Sequence, residues 1–173
     1  MFSMPFIMAT HGRLALPAGH GWGWAMELVE REAQVRRFVE EVWNRKNYDA
    51  VSDLYGEAYV GWNGKGPAAK VEAISSYHQA FADLHVDVEE VVVAADAVVL
   101  RSTVHGTDTG GYAGRAPTGR ATKEWVVNIM HFERDRVVSE FIGADKLGLF
   151  IELGVVDNPW QAGASARGPE EDV

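Results

Sequence analysis

The groups in this 173-residue chain that can do chemistry are six histidines, scattered carboxylates and a set of aromatic side chains. His131 stands in an alternating stretch, in phase with Trp125, Val127 and Ile129. A neutral imidazole there can donate a hydrogen bond to a carbonyl oxygen, or be a histidine satisfied inside a sheet. Period-two alternation sends Asn128 to the opposite face with Val126 and Met130. The reading favours His131 for a pocket, and gives Asn128, Val126 and Met130 to a helix or a second subunit. Arg101, Thr103 and His105 alternate on another stretch, where Arg101 can bind an anionic or carbonyl group or simply face solvent. His105 and Asp108 fall at its end, where they can rim a pocket mouth. His78 shares a stripe with Val71, Ile74 and Phe81, as a core histidine or as a group reaching a pocket. Tyr59 and Trp62 flank a glycine-rich loop. With Trp43, Tyr55 and Trp125 they can stack on a flat ligand or pack a core.

Other chemistries find no footing. The chain has no cysteine, which excludes disulfides, thiolate catalysis and cysteine-held metal. It has no H-E-x-x-H and no close histidine pair, so a catalytic metal is not expected. A phosphate-cradling glycine loop and a nucleophile elbow are also missing. A site that moves protons without a cofactor is what remains. The net charge of −9 repels phosphate backbones, so neither nucleic acid nor an anionic membrane is expected as a partner. No run approaches the ~20 apolar residues that span a bilayer. The cysteine-free composition fits a reducing cytoplasm.

Regular elements must position these groups. At 47% apolar and 24% charged residues, the composition is that of one globular domain with a real core. Residues 1–26 are rich in Gly, Pro and Trp and lack a positive start before their short apolar stretch. They are expected to be an irregular extension rather than a signal peptide, with Met26 a candidate start. Residues 27–158 carry the periodicity, and 159–173 read as an irregular acidic tail. Leu28, Val35, Phe38, Val39, Val42 and Trp43 recur at helical spacing. Asp49 can cap a second helix, AVSDLYGEAY. GWNGKGP is expected to be a loop, followed by a third helix through Phe81. After Asp83 the period becomes two, giving strands from Leu84, over 97–107, from about Arg120 to Glu133, and over 137–142. Asp145 can N-cap a last helix, KLGLFIEL, which Gly154 ends. Helices segregated from a mostly antiparallel sheet make an α+β domain, whose concave face is either filled or a pocket.

Four stretches carry a family resemblance: FVEEVWNRKNYDAVSDLY, AFADLHVDVEEVV, DAVVLRSTVHGTDTGGYAGRAPTGR and VNIMHFERDRVVSEFIGADKLGL. Over about 35–154 the chain resembles the SnoaL-like polyketide cyclases of the NTF2-like superfamily. The resemblance departs at AFADL for AFPDL, at DR for DG, at Phe141 near a usual Trp, and at Asp108 for a usual His. It implies a cone-shaped α+β barrel, a hydrophobic small-molecule substrate and a homodimer packed through sheet faces, with Val126 and Met130 as candidate interface residues. It also implies that Asp145 is the acid/base of an aldol ring closure, with His131 polarising the carbonyl. Two other readings stay open: a non-catalytic binding or accessory domain, and an epoxide hydrolase, for which Asp145 lacks an in-phase acidic partner on the strands.

Overall fold

The computed structural model describes residues 23–61 and 63–159; the lead before Gly23, the tail after Pro159 and Trp62 lie outside them. Helix α1 (Gly23–Phe38) starts inside the expected lead and runs straight into a π-helical turn, Val39–Asn44. Val35, Phe38, Val39 and Val42 are buried, which is the stripe that the spacing predicts. The Arg31 side chain is also buried. It lies 4.8 Å over the Phe132 ring and donates to the carbonyls of Ala95 and Arg134. Two sheet turns are thereby pinned to α1.

The second expected helix is half strand. After a 3-10 turn at Tyr48–Ala50, α2 covers only Val51–Leu54, and β1 follows at Tyr55–Gly61. Tyr55 and Tyr59 are both buried at a spacing of four, which reads as helix. A spacing of four also lies on one face of a strand, and β1 pairs with its neighbour through a register irregularity between Tyr55 and Val60. The expected loop contains a two-residue strand, β2 (Gly64–Lys65). Pro67 then opens α3 (Gly66–Ala80), in the first turn, where its missing N–H costs nothing.

Four long strands follow: β3 (His85–Val93), β4 (Ala97–Thr107), β5 (Ala121–Glu133) and β6 (Arg136–Ala144). They form a six-stranded sheet in the order β2-β1-β6-β5-β4-β3, antiparallel except for the β1–β6 pair. Register shifts in β3 and between His131 and Phe132 bend it. Helix α4 (Lys146–Glu152) closes the chain, and Gly154 stops it at φ +72°, where a side chain would be strained.

The pairing fixes which residues share a face. Val98, Met130 and Glu140 form one row across β4, β5 and β6. Leu100, Asn128 and Ile142 form the next, then Ser102, Val126 and Ala144. This is the concave face: Val98, Leu100 and Met130 are core, so Met130→Ala would cost about 2–5 kcal/mol. The other face carries Val99, Ile129 and Phe141, then Arg101 and Val127, then Thr103 and Trp125. The expectation had these faces reversed. β5 is apolar on both sides, and the polar Glu124 and Asn128 sit on its inner face, so the inner side reads as the wet one. The architecture is the α+β, NTF2-like one.

Candidate active site

The sheet and α3 hold two lysine–carboxylate–tyrosine clusters. In the first, Lys70 of α3 meets Glu140 of β6 in an ion pair whose side chains are 6% and 3% exposed, respectively. Tyr55 donates to Glu140 Oε2 at 2.8 Å, and Tyr59 to Oε1 at 2.7 Å. Lys70 also lies 4.8 Å over the Tyr55 ring. Burial pushes Glu140 up, but Lys70 and the two phenols hold its carboxyl below the usual range. Burial pushes Lys70 down, against the pull of Glu140. Burial, and then Glu140, raise both tyrosines well above the usual phenol. Every group has a partner and none meets solvent, so this cluster ties β1, β6 and α3 together.

The second cluster stands where β5, α3 and α4 meet. Glu124 lies on the inner face of β5, and Lys146 opens α4. The ammonium is 2.8 Å from Glu124 Oε1, with side chains 41% and 3% exposed. The approach is off the line of a hydrogen bond, and Oε1 has no aligned donor. Lys146 donates to the Tyr77 hydroxyl at 2.6 Å, which lies 3.2 Å from the Tyr112 hydroxyl. The ammonium is 5.1 and 5.4 Å from the Tyr77 and Tyr112 ring centres. Burial lowers the Lys146 pKa, but Tyr77 and Glu124 outweigh it, so the net shift is upward. Burial raises Tyr77.

Asp108 places Tyr112. Its buried carboxylate accepts from the N–H groups of Gly111, Tyr112 and Thr118 at 3.0, 3.1 and 2.9 Å, and from the Thr118 hydroxyl at 2.9 Å. Gly111 makes the turn at φ +87°. Burial raises Asp108, but the donors lower it further. Asp145 precedes Lys146. Its Oδ1 accepts from Gly148 N at 2.9 Å, and Oδ2 makes no hydrogen bond among the described residues. Its own N–H bonds the Trp125 carbonyl at 3.2 Å, fixing it at the Val126–Ala144 row. Asn128 is two residues further along β5, about 7 Å by strand rise. Asn128 is half-buried, and its side-chain amide makes no hydrogen bond among the described residues. Ile142, in its row, is 41% exposed although it shares the core-facing side. The concave face is therefore uncovered at this end.

Comparison with known proteins decides the family. The family model described as SnoaL-like polyketide cyclase matches residues 33–153. The chain belongs to that family. AclR from Streptomyces galilaeus is similar at 26% identity and TM-score 0.69, over 80% of this chain and 91% of its own. IdmH from Streptomyces antibioticus is similar at 19% identity and TM-score 0.62, over 72% of this chain and 99% of its own. A SnoaL-like polyketide cyclase from Agrobacterium tumefaciens gives 16% and 0.63, over 72% and 98%. No curated protein matches the chain.

The expected site of this SnoaL-like chain is divided between the two sides of the sheet. His131, Trp125, Arg101 and His105 all lie on the outer face, away from Asn128, Glu124 and the open cluster. Trp125 is 54% exposed, Arg101 pairs with Glu89 and Glu90, and His105 bonds Asp87 at 2.8 Å. Val126 and Met130, expected at an interface, face inward, and Met130 is core. Strand phase alone moves all six. His78 is buried, with Nδ1 2.8 Å from the Tyr48 hydroxyl and Nε2 2.8 Å from the Trp43 carbonyl. Burial lowers its pKa. Tyr59 belongs to the sealed cluster, and Trp62 lies outside the described residues. Asp145 is at the open end. Tyr77, Tyr112, Glu124 and Lys146 escaped the sequence reading, and Asn128 was weighed there and set aside in favour of His131. For Glu124 and Asn128 the signal was there: they are in phase with Val126, Met130 and Phe132.

Among the described residues no group of three or more His, Asp or Glu side chains can hold a metal ion. A depression of about 30 Å³ between α1 and α2, lined by Gln34, Phe38, Glu41 and Leu54, has room for about one water. No helix of the described residues is long and apolar enough to cross a membrane.

Proposed function

We propose that the protein is a cyclase or isomerase acting on a hydrophobic, polyketide-like carbonyl compound by acid–base chemistry, with Asp145 as the proton-transfer group. The observation that carries this is the family match over 33–153, together with Asp145 at the open end of the concave face with one oxygen uncommitted. Asp145 takes the proton α to a carbonyl. The C–H electrons form the enolate double bond, and the carbonyl π electrons move to oxygen. The enolate carbon attacks a second carbonyl of the same chain, forming the ring bond. The resulting alkoxide takes the proton back from Asp145. Asn128, with its free amide, orients the substrate, and Val126, Ile142 and Ala144 give an apolar floor that folds it into reach.

A second reading is a non-catalytic binding domain. It is favoured by the bond from Gly148 N to Asp145, which is a helix cap and needs no catalysis. Asp145→Asn separates the two, because asparagine caps as well as aspartate but cannot carry the proton. A panel of anthraquinone-type and linear polyketide carbonyl compounds would be offered to wild type and variant. Turnover lost in the variant, with binding and melting temperature kept, supports the enzyme. Binding without turnover in both supports the binding domain.

The reading includes a homodimer through the outer sheet face. Trp125, Phe141 and Val92 are exposed there beside Val127 and Ile129, an apolar surface that a second copy would cover.

A further inference from the structure

We propose that Lys146 and the Tyr77–Tyr112 hydroxyl pair form a binding site for a substrate oxygen that becomes negatively charged, with buried Glu124 holding the ammonium in place. This rests on the reading of the concave face as a carbonyl-compound site, and adds the group that receives the enolate. An ammonium has three N–H groups. That of Lys146 makes one aligned hydrogen bond, to Tyr77, and its contact with Glu124 Oε1 is an ion pair off the hydrogen-bond line. Even with one N–H turned to Glu124 Oε1 at 2.8 Å, one N–H group of the ammonium is left uncommitted among the described residues. Because Tyr77 accepts from Lys146, its own proton is free for Tyr112 or for a ligand, and either phenol of the 3.2 Å pair can be the donor.

Exposure separates this cluster from its twin. Lys70 is sealed, whereas the Lys146 side chain is 41% exposed over a 3% exposed Glu124. The anion lies beneath and the cation faces out, which is the arrangement that presents positive charge to a ligand. The upward net shift of Lys146 keeps it protonated through the neutral range, so it serves as a fixed cation and not as a base or an amine nucleophile. Four segments build the site: β5 gives Glu124, α4 gives Lys146, α3 gives Tyr77 and the loop braced by Asp108 gives Tyr112. Asp145 is the adjacent residue, so proton removal and charge stabilisation fall at one strand–helix junction.

The test uses 2-hydroxyanthraquinone, a flat carbonyl compound whose phenolate mimics an enolate and absorbs at longer wavelength than its phenol. The full chain is titrated with it across pH. Wild type and Asp145→Asn are expected to hold about ten- to a thousandfold more of the bound dye as anion at a given pH than water does. Lys146→Met should abolish that excess and Lys146→Arg should keep most of it. Tyr77→Phe should reduce it. Lys146→Met leaves Glu124 buried and alone, so Glu124→Gln/Lys146→Met removes both charges and is expected to bind the dye without the excess. Binding by wild type with the ionisation of free dye would overturn the Lys146 site alone. A persisting excess in the double variant would do the same. Failure of the dye to bind wild type would sink the carbonyl-site reading beneath it.

Discussion

Lys70–Glu140 and Lys146–Glu124 are the same pair of groups in two settings, and each brings tyrosine hydroxyls within hydrogen-bond reach. In the first, Glu140 accepts from both phenols, and the lysine is buried between α3 and the sheet. Each of its buried polar atoms has a hydrogen-bond partner, and the cluster works as a clasp. In the second, the lysine comes from the start of a short helix at the uncovered end of the concave face. One carboxylate oxygen lacks an aligned donor, and the cation is half in solvent. The difference teaches that a buried charge pair signals function by what it leaves unfinished. Geometry alone would rank the sealed pair first.

The contrast breaks most visibly on losing a lysine. Lys70→Met strands Glu140 in the core and is expected to cost about 3–5 kcal/mol in urea unfolding, while each folded molecule keeps its turnover. Glu124→Gln/Lys146→Met should do the reverse. Turnover falls about a hundredfold or more, and stability by only about 1–2 kcal/mol, because neither charge is left buried without its partner. Equal stability losses in the two variants would erase the distinction.

Acid sharpens the comparison from the sealed side. The folded-state pKa of Glu140 is lowered, so the unfolded chain binds more protons. The stability from this group is present above its ordinary value near 4.5 and is lost as pH falls through the folded value. The folded-state pKa of His78 is also lowered. Stability should begin to fall below pH 6.5, since only the unfolded imidazole takes up a proton there. Unfolding measured from pH 7.5 to 3.5 should show both windows. His78→Gln should remove the upper one, and a slope unchanged in that variant would exclude His78 as its source.

The smallest expected effect on folding is on the outer face. Trp125→Asp should change monomer stability by no more than about 0.5 kcal/mol, yet halve the mass in solution if that face is the dimer contact. A wild-type protein that sediments as a monomer would remove the dimer from the account.

Much of the fold was legible in the chain. The alternation in β4 and β5 and the Asp145 cap gave their elements nearly to the residue, while the stripe on α1 gave its buried face but not its start, which lies at Gly23 inside the expected lead. Strand β1 was not legible, because the spacing of four between Tyr55 and Tyr59 fits one face of a helix as well as one face of a strand, and pairing with β6 decides between them. The site was half legible. Asp145 stands out by its place between a strand and a helix. His131 drew attention because it is titratable, but the face it points to depends on the register against β4 and β6. With His131 favoured for the pocket, the face of Asn128, Val126 and Met130 was given to a helix or a second subunit; the polar Glu124 and Asn128 among apolar residues on that face are a local conflict of pattern that belongs at a working site. Lys146 and Tyr112 come from a helix start and a loop, and only tertiary packing brings them together.

The most direct measurement of the central claim is proton exchange. A hydrophobic diketone of the active panel would be incubated with the protein in D₂O, and deuterium at the carbon α to its carbonyl followed by NMR. Proton abstraction by Asp145 predicts enzyme-dependent incorporation in wild type and none above background in Asp145→Asn at an unchanged melting temperature. Equal incorporation by both proteins would contradict it.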